Sequence, residues 1–110
     1  MTDPVLNERG MTELHLAVWH GELDWVQNCI RGGLSIHSRD TGGYTPLRWA
    51  ADMGIVEGDY QEIATLLIQA GSDVNAIDHM GRSVLNVAVN SGNSEIVRQL
   101  VEAGAVDRGV

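Results

Sequence analysis

The sequence predicts an all-α solenoid built from three helix-turn-helix units. Three observations support this fold class. Similar segments recur along the 110 residues, apolar residues recur at the three-and-four spacing of amphipathic helices, and no run alternates between apolar and polar residues for long enough to form a strand. A chain of this length holds a single hydrophobic core, so the helix pairs are expected to stack into one domain.

The internal repeat becomes visible when Thr12, Thr45 and Ser83 are aligned. The segments that begin there read TELHLAVWHG, TPLRWAADMG and SVLNVAVNSG, and each ends in a glycine. The middle unit contains five additional residues, 55–59. This alignment divides the chain into an N-terminal extension of residues 1–6 and a domain of residues 7–110, whose repeats cover residues 7–39, 40–77 and 78–110.

Each repeat is predicted to contain two helices. In the middle repeat, Thr45 can cap the first helix with Pro46 at its first position, because this pair satisfies one free amide and presets the backbone. Gly33, Gly71 and Gly104 can adopt the left-handed conformation that stops a second helix. The first helices are expected near residues 12–20, 45–53 and 83–91, and the second helices near residues 22–31, 60–69 and 93–102.

The apolar stripe of the second helices is expected to form most of the core. Trp25, Trp49 and Cys29 align with aliphatic residues of the other repeats. We therefore expect all three to pack in the core, Cys29 as a small buried group and not as a reactive thiol. The stripe consists of Ile63, Ala64, Leu66 and Leu67 in the middle repeat, of Trp25, Val26, Cys29 and Ile30 in the first, and of Ile96, Val97, Leu100 and Val101 in the third.

The repeats resemble the ankyrin repeat, which has a period of about 33 residues and the signature T-P-L-H-x-A. The resemblance covers residues 7–110 and is strongest in the middle repeat, DTGGYTPLRWAADMG followed by YQEIATLLIQAGSDVNAID. Only His15 keeps the signature histidine, since Arg48 and Asn86 stand at that position in the other repeats. The resemblance implies that His15 forms hydrogen bonds within its turn, and that turn tips and first helices form a concave surface for protein partners.

The acidic composition disfavours several classes of partner. With 15 Asp and Glu against 7 Lys and Arg, the chain carries a formal charge of −8. Nucleic acids and anionic membrane surfaces are therefore repelled, and a basic protein is the preferred partner. The sequence shows no secretory signal or long apolar segment, and its one cysteine cannot form an internal disulfide. We therefore expect a soluble cytoplasmic protein.

The residue types and spacings of an enzyme are not found in the sequence. There is no lysine for a Schiff base or a phosphate loop, and the serines lack a nucleophile elbow. His20 and His79 lie in different repeats without a carboxylate at metal-ligand spacing, and His15 and His37 fall at structural positions of the repeat. We therefore expect a noncatalytic protein with no cofactor, no metal ion and no small-molecule substrate.

Partner binding is predicted on the concave side. Trp19 aligns with the polar residues Asp52 and Asn90, and a large aromatic side chain at such a position is a candidate interface anchor. The alternative is that Val5 and Leu6 of the extension partly bury it. The predicted contact residues on this side are Trp19, His20, Tyr44, Asp52, Met53, His79, Met80 and Arg82.

The insertion in the middle repeat is predicted to add an acidic contact region through Ile55, Glu57 and Asp59. Further carboxylates fall at the starts of the second helices, so negative charge gathers on one rim of the stack and would attract a basic partner. Alternatively, the carboxylates only complement the helix dipoles, and the insertion is a neutral length variant. The rim consists of Glu22, Asp24, Glu57, Asp59, Glu62 and Glu95.

The combined features predict a protein-binding module. Its small size and acidity resemble the small bacterial ankyrin proteins that act as immunity proteins or inhibitors of secreted toxins or enzymes. This resemblance implies steric blockade of a basic cleft on the partner. An adaptor or assembly factor that links two host proteins is the alternative, and an enzyme or metal protein is a third.

Overall fold

Six helices joined by short turns make up the part of the chain that the computed structural model describes, residues 3–53 and 56–106. The first helices of the three repeats are α1, α3 and α5, and the second helices are α2, α4 and α6. Their bounds are α1 Glu13–Trp19, α2 Leu23–Arg31, α3 Pro46–Asp52, α4 Tyr60–Gln69, α5 Val84–Ser91 and α6 Ser94–Glu102.

The predicted helices are confirmed, and their ends differ from the predicted ones by at most one residue. Helix α4 has the predicted bounds. At the N-terminal ends the differences arise because cap residues such as Thr12 and Ser83 have extended backbones and stand just outside the helix. At the C-terminal ends of α1 and α3, the predicted last residues His20 and Met53 are the cap residues. The predicted cap of α3 is also confirmed, since the Thr45 side chain accepts a hydrogen bond from the Arg48 amide at 3.2 Å and Pro46 follows it.

The second helices end as predicted at left-handed glycines. Gly33, Gly71 and Gly104 have φ angles of 87°, 102° and 98°, a conformation that only glycine adopts without strain. After each glycine, the amide of the next residue donates to the carbonyl five residues earlier, which is the hydrogen bond of a Schellman motif. Gly54, the glycine at the end of the middle aligned segment, lies outside the described residues.

The helices form two layers. Helices α1, α3 and α5 pack side by side, α2, α4 and α6 form the second layer, and each first helix packs on the second helix of its own repeat. Between the layers lie fully buried side chains such as Leu14, Leu47, Ile63, Leu67 and Leu100. Within residues 3–53 and 56–106, strand-like pairing is limited to one isolated antiparallel bridge between Ile77 and Ser83.

The three aromatic and thiol side chains assigned to the core differ in how deeply they are buried. Trp49 is buried, and so is Cys29, in which burial, followed by the nearby Glu13 carboxylate, raises the thiol pKa to about 11. Trp25 corrects the expectation in part, because it packs against the core but remains half-buried. It lies in the first repeat, and its indole N–H donates to exposed Glu13 at 2.8 Å.

Candidate protein-binding surface

Each repeat begins with the same turn. Its first residue is an Asn or Asp whose Oδ1 accepts the backbone amides two and four residues later, at 2.9 to 3.1 Å. Its fourth residue is a left-handed glycine. This turn was not predicted from the sequence. The signal was present, because an Asn or Asp followed by Gly three residues later recurs at the repeat period. The pairs are Asn7 with Gly10, Asp40 with Gly43, and Asp78 with Gly81.

Backbone hydrogen bonds join neighbouring turns into a row. The Thr41 amide donates to the Arg9 carbonyl at 2.8 Å, and the His79 amide donates to the Gly42 carbonyl at 2.9 Å. His79 lies so close to Gly43 that a Cβ on that glycine would stand 2.6 Å from the His79 ring. The predicted contact residue His79 is therefore held at the junction of two turns, with its side chain exposed.

A buried ion pair supports this surface from below. The Asp78 side chain has no exposed area, and its Oδ2 accepts Arg82 Nε at 3.0 Å and Arg48 Nη2 at 3.4 Å. Burial alone would raise the pKa of Asp78, but the amides of Arg82 and Met80 and the two guanidinium groups outweigh it, so the pKa is lowered. The same carboxylate raises the pKa of Arg82. Both partners therefore stay charged at neutral pH.

Arg48 links the ion pair to the aromatic residues. Its guanidinium lies 3.8 Å from the centre of the Tyr44 ring, a cation–π contact, and its Nη1 lies 3.4 Å from the Asp52 carboxylate. Arg82 Nη2 donates to the Tyr44 hydroxyl at 3.3 Å. Arg48, Asp52 and Arg82 line a shallow polar groove of about 140 Å³ between α3 and α5, together with Val87, Asn90 and Ser91.

Five rings form a continuous aromatic row: Trp25, His20, Trp19, Trp49 and Tyr44. Their successive centroids are 5.8, 5.6, 6.0 and 5.5 Å apart, distances typical of favourable ring pairs. Trp19 is 38% exposed in this row. Val5 and Leu6 are themselves more than half exposed, so the structure lends no support to the alternative in which they bury Trp19.

The far end of the insertion is attached to the first repeat beside Trp19. The Asp59 amide donates to the Gly21 carbonyl at 3.4 Å, and the Tyr60 hydroxyl donates to the Trp19 carbonyl at 2.7 Å. The Tyr60 ring is buried over Gly21, where a Cβ would stand 2.9 Å from it. Glu57 and Asp59 are exposed next to this attachment, so the acidic segment lies close to Trp19, the central ring of the aromatic row.

The structure brings together some of the predicted contact residues and separates others. Trp19, Tyr44, Asp52 and Arg82 are connected to one another through Trp49 and Arg48, which the prediction had not included in the surface. Signals for both were present, since Arg48 replaces the signature histidine and Trp49 replaces an aliphatic residue.

The remaining predicted contact residues lie at the margins of the surface or outside the description. Met80 projects from the third turn with 78% of its side chain exposed, whereas Met53 is half-buried against the core. Ile55 lies outside the described residues. The predicted rim carboxylates Asp24, Glu62 and Glu95 lie in the first turns of second helices, as expected.

The signature histidine has the structural role that the resemblance implied. The His15 Nδ1 accepts the Thr12 amide at 3.1 Å, and Nε2 donates to the Tyr44 carbonyl of the next turn at 2.8 Å. Burial lowers the pKa of His15 despite that bond, so the ring is neutral at pH 7. Over residues 3–53 and 56–106, no group of three His, Cys, Asp or Glu side chains has the arrangement of a metal site, and no helix is long and apolar enough to cross a membrane.

Comparison with known proteins agrees with this architecture. A family model described as ankyrin repeats, in three copies, matches residues 14–108. Human protein phosphatase 1 regulatory subunit 27 is 37% identical over 76 residues, which are 69% of this chain and 46% of that protein. Mouse inversin is 31% identical over 91 residues, 82% of this chain and 8% of that protein.

A third relative is the putative palmitoyltransferase ZDHHC13 of Danio rerio. It is 36% identical over 105 residues, 94% of this chain and 16% of that protein. The chain therefore spans less than half the length of each of these three relatives. In each of them the similarity concerns a repeat segment within a longer protein.

Proposed function

Because the chain belongs to the ankyrin-repeat family, whose repeats mediate protein–protein interaction, we propose that it is a noncatalytic binding module that uses the turn row and the first helices. The observation that carries the proposal is the aromatic row, which has Trp19 at its centre and Arg48 and Arg82 beside Tyr44 at one end. Trp, Tyr and Arg are the residue types that contribute most to protein interfaces. Here they are already held in one arrangement before a partner arrives.

Preorganisation supports a binding role for this surface. The Tyr44 ring is fixed by Trp49, Arg48 and Arg82, and the Trp19 carbonyl is fixed by Tyr60. Side chains that are immobile before binding lose less conformational entropy when a partner covers them, so more of the contact energy remains as affinity. The exposed part of Trp19 is therefore the best candidate for an anchor in a pocket of the partner.

We further propose that the module regulates an enzyme or toxin by covering it. The net charge of −8 and the exposed Glu57 and Asp59 favour a partner with a basic surface. A regulatory role is also in the name of one relative, protein phosphatase 1 regulatory subunit 27. The bacterial immunity role has less support, since the relatives described above are human, mouse and zebrafish proteins, and it relies on size and charge alone.

An adaptor is the second candidate. The observation that favours it is that the similarity to inversin and to the putative palmitoyltransferase covers only 8% and 16% of those proteins. Repeat segments inside long chains are suited to joining other proteins to the rest of the chain. An inhibitor should form a one-to-one complex that abolishes the partner's activity, whereas an adaptor should leave that activity intact and bind two proteins together.

The test begins with the partner, identified by affinity purification from the native cell and mass spectrometry. Trp19→Ala and Tyr44→Ala should each weaken its binding by about 2 kcal/mol or more if both residues are anchors. Val101→Ala, an exposed position on α6, is the matched control and should bind like the parent. If both ring variants remain folded and bind with parental affinity, this surface is not the contact site.

The insertion provides a second arm of the same test. If the insertion steers a basic partner, deletion of residues 55–59 and the double variant Glu57→Gln/Asp59→Asn should slow association at low salt, and the difference should shrink at high salt because exposed charges are screened beyond about 8 Å. Asp73→Asn/Glu102→Gln, at two exposed acidic positions outside the rim, is the charge-matched control. Equal association rates for all these proteins would leave the insertion as a length variant.

A further inference from the structure

Arg48 shows how this chain holds a guanidinium group. The group lies 3.8 Å from the centre of the Tyr44 ring, and the carboxylates of Asp52 and Asp78 each lie 3.4 Å from one of its terminal nitrogens. The negative face of an aromatic ring attracts a cation, and carboxylates at the edge of a guanidinium accept its N–H groups. One ring and two acidic side chains are therefore sufficient to hold an arginine in this fold.

The central ring of the aromatic row presents a face to which no cation of the chain is bound. Over residues 3–53 and 56–106, cation–π contact is limited to Arg48 on Tyr44. Trp19 is 38% exposed, and the rings of its neighbours His20 and Trp49 are tilted against it by 38° and 41°. Because neither neighbour is parallel to the indole, neither covers its face as a stacked ring would. Tryptophan is also the side chain whose ring binds cations most strongly.

The insertion places two carboxylates beside this exposed indole. The Asp59 amide donates to the Gly21 carbonyl and the Tyr60 hydroxyl to the Trp19 carbonyl, so the end of the insertion is fixed next to the end of α1. Glu57 and Asp59 are exposed, and within the described part of the chain neither forms an ion pair. Their charges can therefore pair with a cation that a partner supplies.

A third carboxylate lies on α3. Asp52 comes three residues after Trp49, the ring that contacts Trp19, and residues three apart lie on one face of a helix. Its side chain is 45% exposed, and its contact with Arg48 is a long one, at 3.4 Å. Asp52 therefore retains accessible acceptor positions on the side of Trp19 that faces the middle repeat.

Charge is distributed unevenly along the aromatic row. At the Tyr44 end, Arg48 and Arg82 are paired with the buried Asp78. Around Trp19, the exposed charges described above are carboxylates, and the whole chain carries a charge of −8. A positively charged side chain is therefore attracted to the centre of the row and not to its Tyr44 end.

We propose that the Trp19 indole, with Glu57, Asp59 and Asp52 around it, binds an arginine side chain in a basic segment of the protein partner. The inference rests on the binding surface proposed above and names the group that this surface recognises. The guanidinium stacks on the indole, as that of Arg48 stacks on Tyr44, and donates to the carboxylates at its edge. Arginine is preferred to lysine, because a planar guanidinium can stack and donate together and is less strongly hydrated than an ammonium.

A synthetic peptide tests the site without the partner. The probe is the blocked peptide Gly-Gly-Arg-Gly-Arg-Gly-Gly, compared with peptides in which lysine or the neutral analogue citrulline replaces both arginines. The chain has three tryptophans, so its heteronuclear NMR spectrum contains three indole N–H signals, and Trp19→Phe identifies the signal of Trp19.

The arginine peptide should shift the Trp19 signal with a Kd of about 1 mM, in the range of weak affinities. The lysine peptide should bind at least about threefold more weakly, and the citrulline peptide should leave the signal in place. The proposal is overturned if the Trp19 signal does not move at about 10 mM arginine peptide. It is also overturned if the citrulline peptide moves this signal equally.

Two ring variants distinguish recognition of a cation from simple apolar contact. Trp19→Phe keeps an aromatic face, whereas Trp19→Leu keeps an apolar side chain without one. With the backbone amide signal of Gly21 as the probe, the phenylalanine variant should bind the arginine peptide within about threefold of the parent, and the leucine variant about tenfold more weakly. Equal affinity of the two variants would contradict a cation–π contact.

Charge variants test the carboxylates in the same titration. Glu57→Gln/Asp59→Asn should weaken binding of the arginine peptide by about threefold or more, because it removes the acceptors at the edge of the guanidinium. Asp73→Asn/Glu102→Gln removes the same charge at two other exposed positions and should bind like the parent. If both double variants lose the same affinity, the effect comes from net charge, and these carboxylates do not form the site.

The natural partner separates this inference from the proposed binding surface. If the partner binds Trp19→Ala weakly but Trp19→Leu with parental affinity, the surface is an interface and the arginine inference is wrong. If the partner binds Trp19→Ala with parental affinity while the arginine peptide still shifts the Trp19 signal of the parent, the indole binds arginine and the proposed interface is wrong. Loss of the partner with both variants and its retention with Trp19→Phe support the two proposals together.

Discussion

At the residue scale, Arg48 shows how one substitution reorganises a repeat. It stands where His15 stands in the first repeat, but a guanidinium cannot accept a hydrogen bond as the His15 Nδ1 does from the Thr12 amide. Instead Arg48 reaches the next repeat, where it contacts the buried Asp78 carboxylate. An ion pair, Arg48 with Asp78, therefore connects the middle repeat to the third. At the same position in the first repeat, the neutral His15 ring connects to the middle repeat by a hydrogen bond to the Tyr44 carbonyl.

This ion pair predicts an acid-sensitive component of stability. The pKa of Asp78 is lower in the folded chain than the ordinary value of about 4, so its charged form stabilises the fold above that value. The contribution should be lost as the pH falls below about 4, when the carboxylate becomes protonated. Asp78→Asn should lower the melting temperature at pH 7 and reduce the difference between pH 7 and pH 3. The experiment is thermal unfolding monitored by circular dichroism.

Asp78→Asn keeps the side-chain oxygen that accepts the turn amides and removes only the negative charge. The comparison of this variant with the parent therefore tests the charge alone. The Oδ1 of an asparagine can still accept the amides of Met80 and Arg82, as that of Asn7 accepts the corresponding amides in the first turn. Asp73→Asn, at an exposed aspartate, provides the control. If parent and Asp78→Asn lose the same stability between pH 7 and pH 3, Asp78 does not carry the acid sensitivity.

At the element scale, the second turn packs directly against the third. Gly43 and Gly81 have nearly the same left-handed φ, 79° and 78°. A Cβ on Gly43 would stand 2.9 Å from the His79 backbone nitrogen, whereas no atom lies within 4 Å of a Cβ on Gly81. Both positions therefore require glycine for the left-handed backbone. Gly43 is also required because a side chain there would collide with His79.

Alanine substitution of these two glycines measures how much the contact between the second and third turns contributes to the free energy of unfolding. Gly81→Ala should cost about 1 kcal/mol or more in unfolding free energy, from the left-handed backbone. Gly43→Ala should cost more, because His79 must also move away from the second turn. Urea unfolding of both variants measures the difference. Equal losses would show that the turns can separate at no cost.

At the scale of the whole molecule, stability depends on contacts between neighbouring repeats. Leu67 of α4 has no exposed area, and α4 packs on α2, α3 and α6. Leu67→Ala should cost about 2 to 5 kcal/mol through the cavity it leaves. In a domain of this size each kcal/mol lowers the melting temperature by about 4 °C or more. Differential scanning calorimetry measures the change, with Val101→Ala as the exposed control. A parental melting temperature for Leu67→Ala would mean that this position is not in the core.

The sequence determined the helices, their order and most of the core, because these depend on local signals that repeat. Two residues assigned to the core differ, since Val101 is 54% exposed and Trp25 is half-buried. Caps at Thr12, Thr45 and Ser83 and the glycines after the second helices define where helices begin and end. The three-and-four spacing defines which face is buried. These signals act within a few residues, so they can be read without knowing what lies beside them in space.

Only the tertiary structure decided how side chains from different repeats meet. Arg48 and Asp78 are 30 residues apart in the chain, and the rings of Trp19 and Trp49 are 30 residues apart as well. Neither pair is visible in a local pattern, because the distance between them depends on how one repeat is placed on the next. Val89 shows the same limit, because it is 58% exposed although Val18 and Ala51 at the equivalent position have no exposed area. Contacts between repeats therefore determined the candidate surface, whereas signals within each repeat determined the fold.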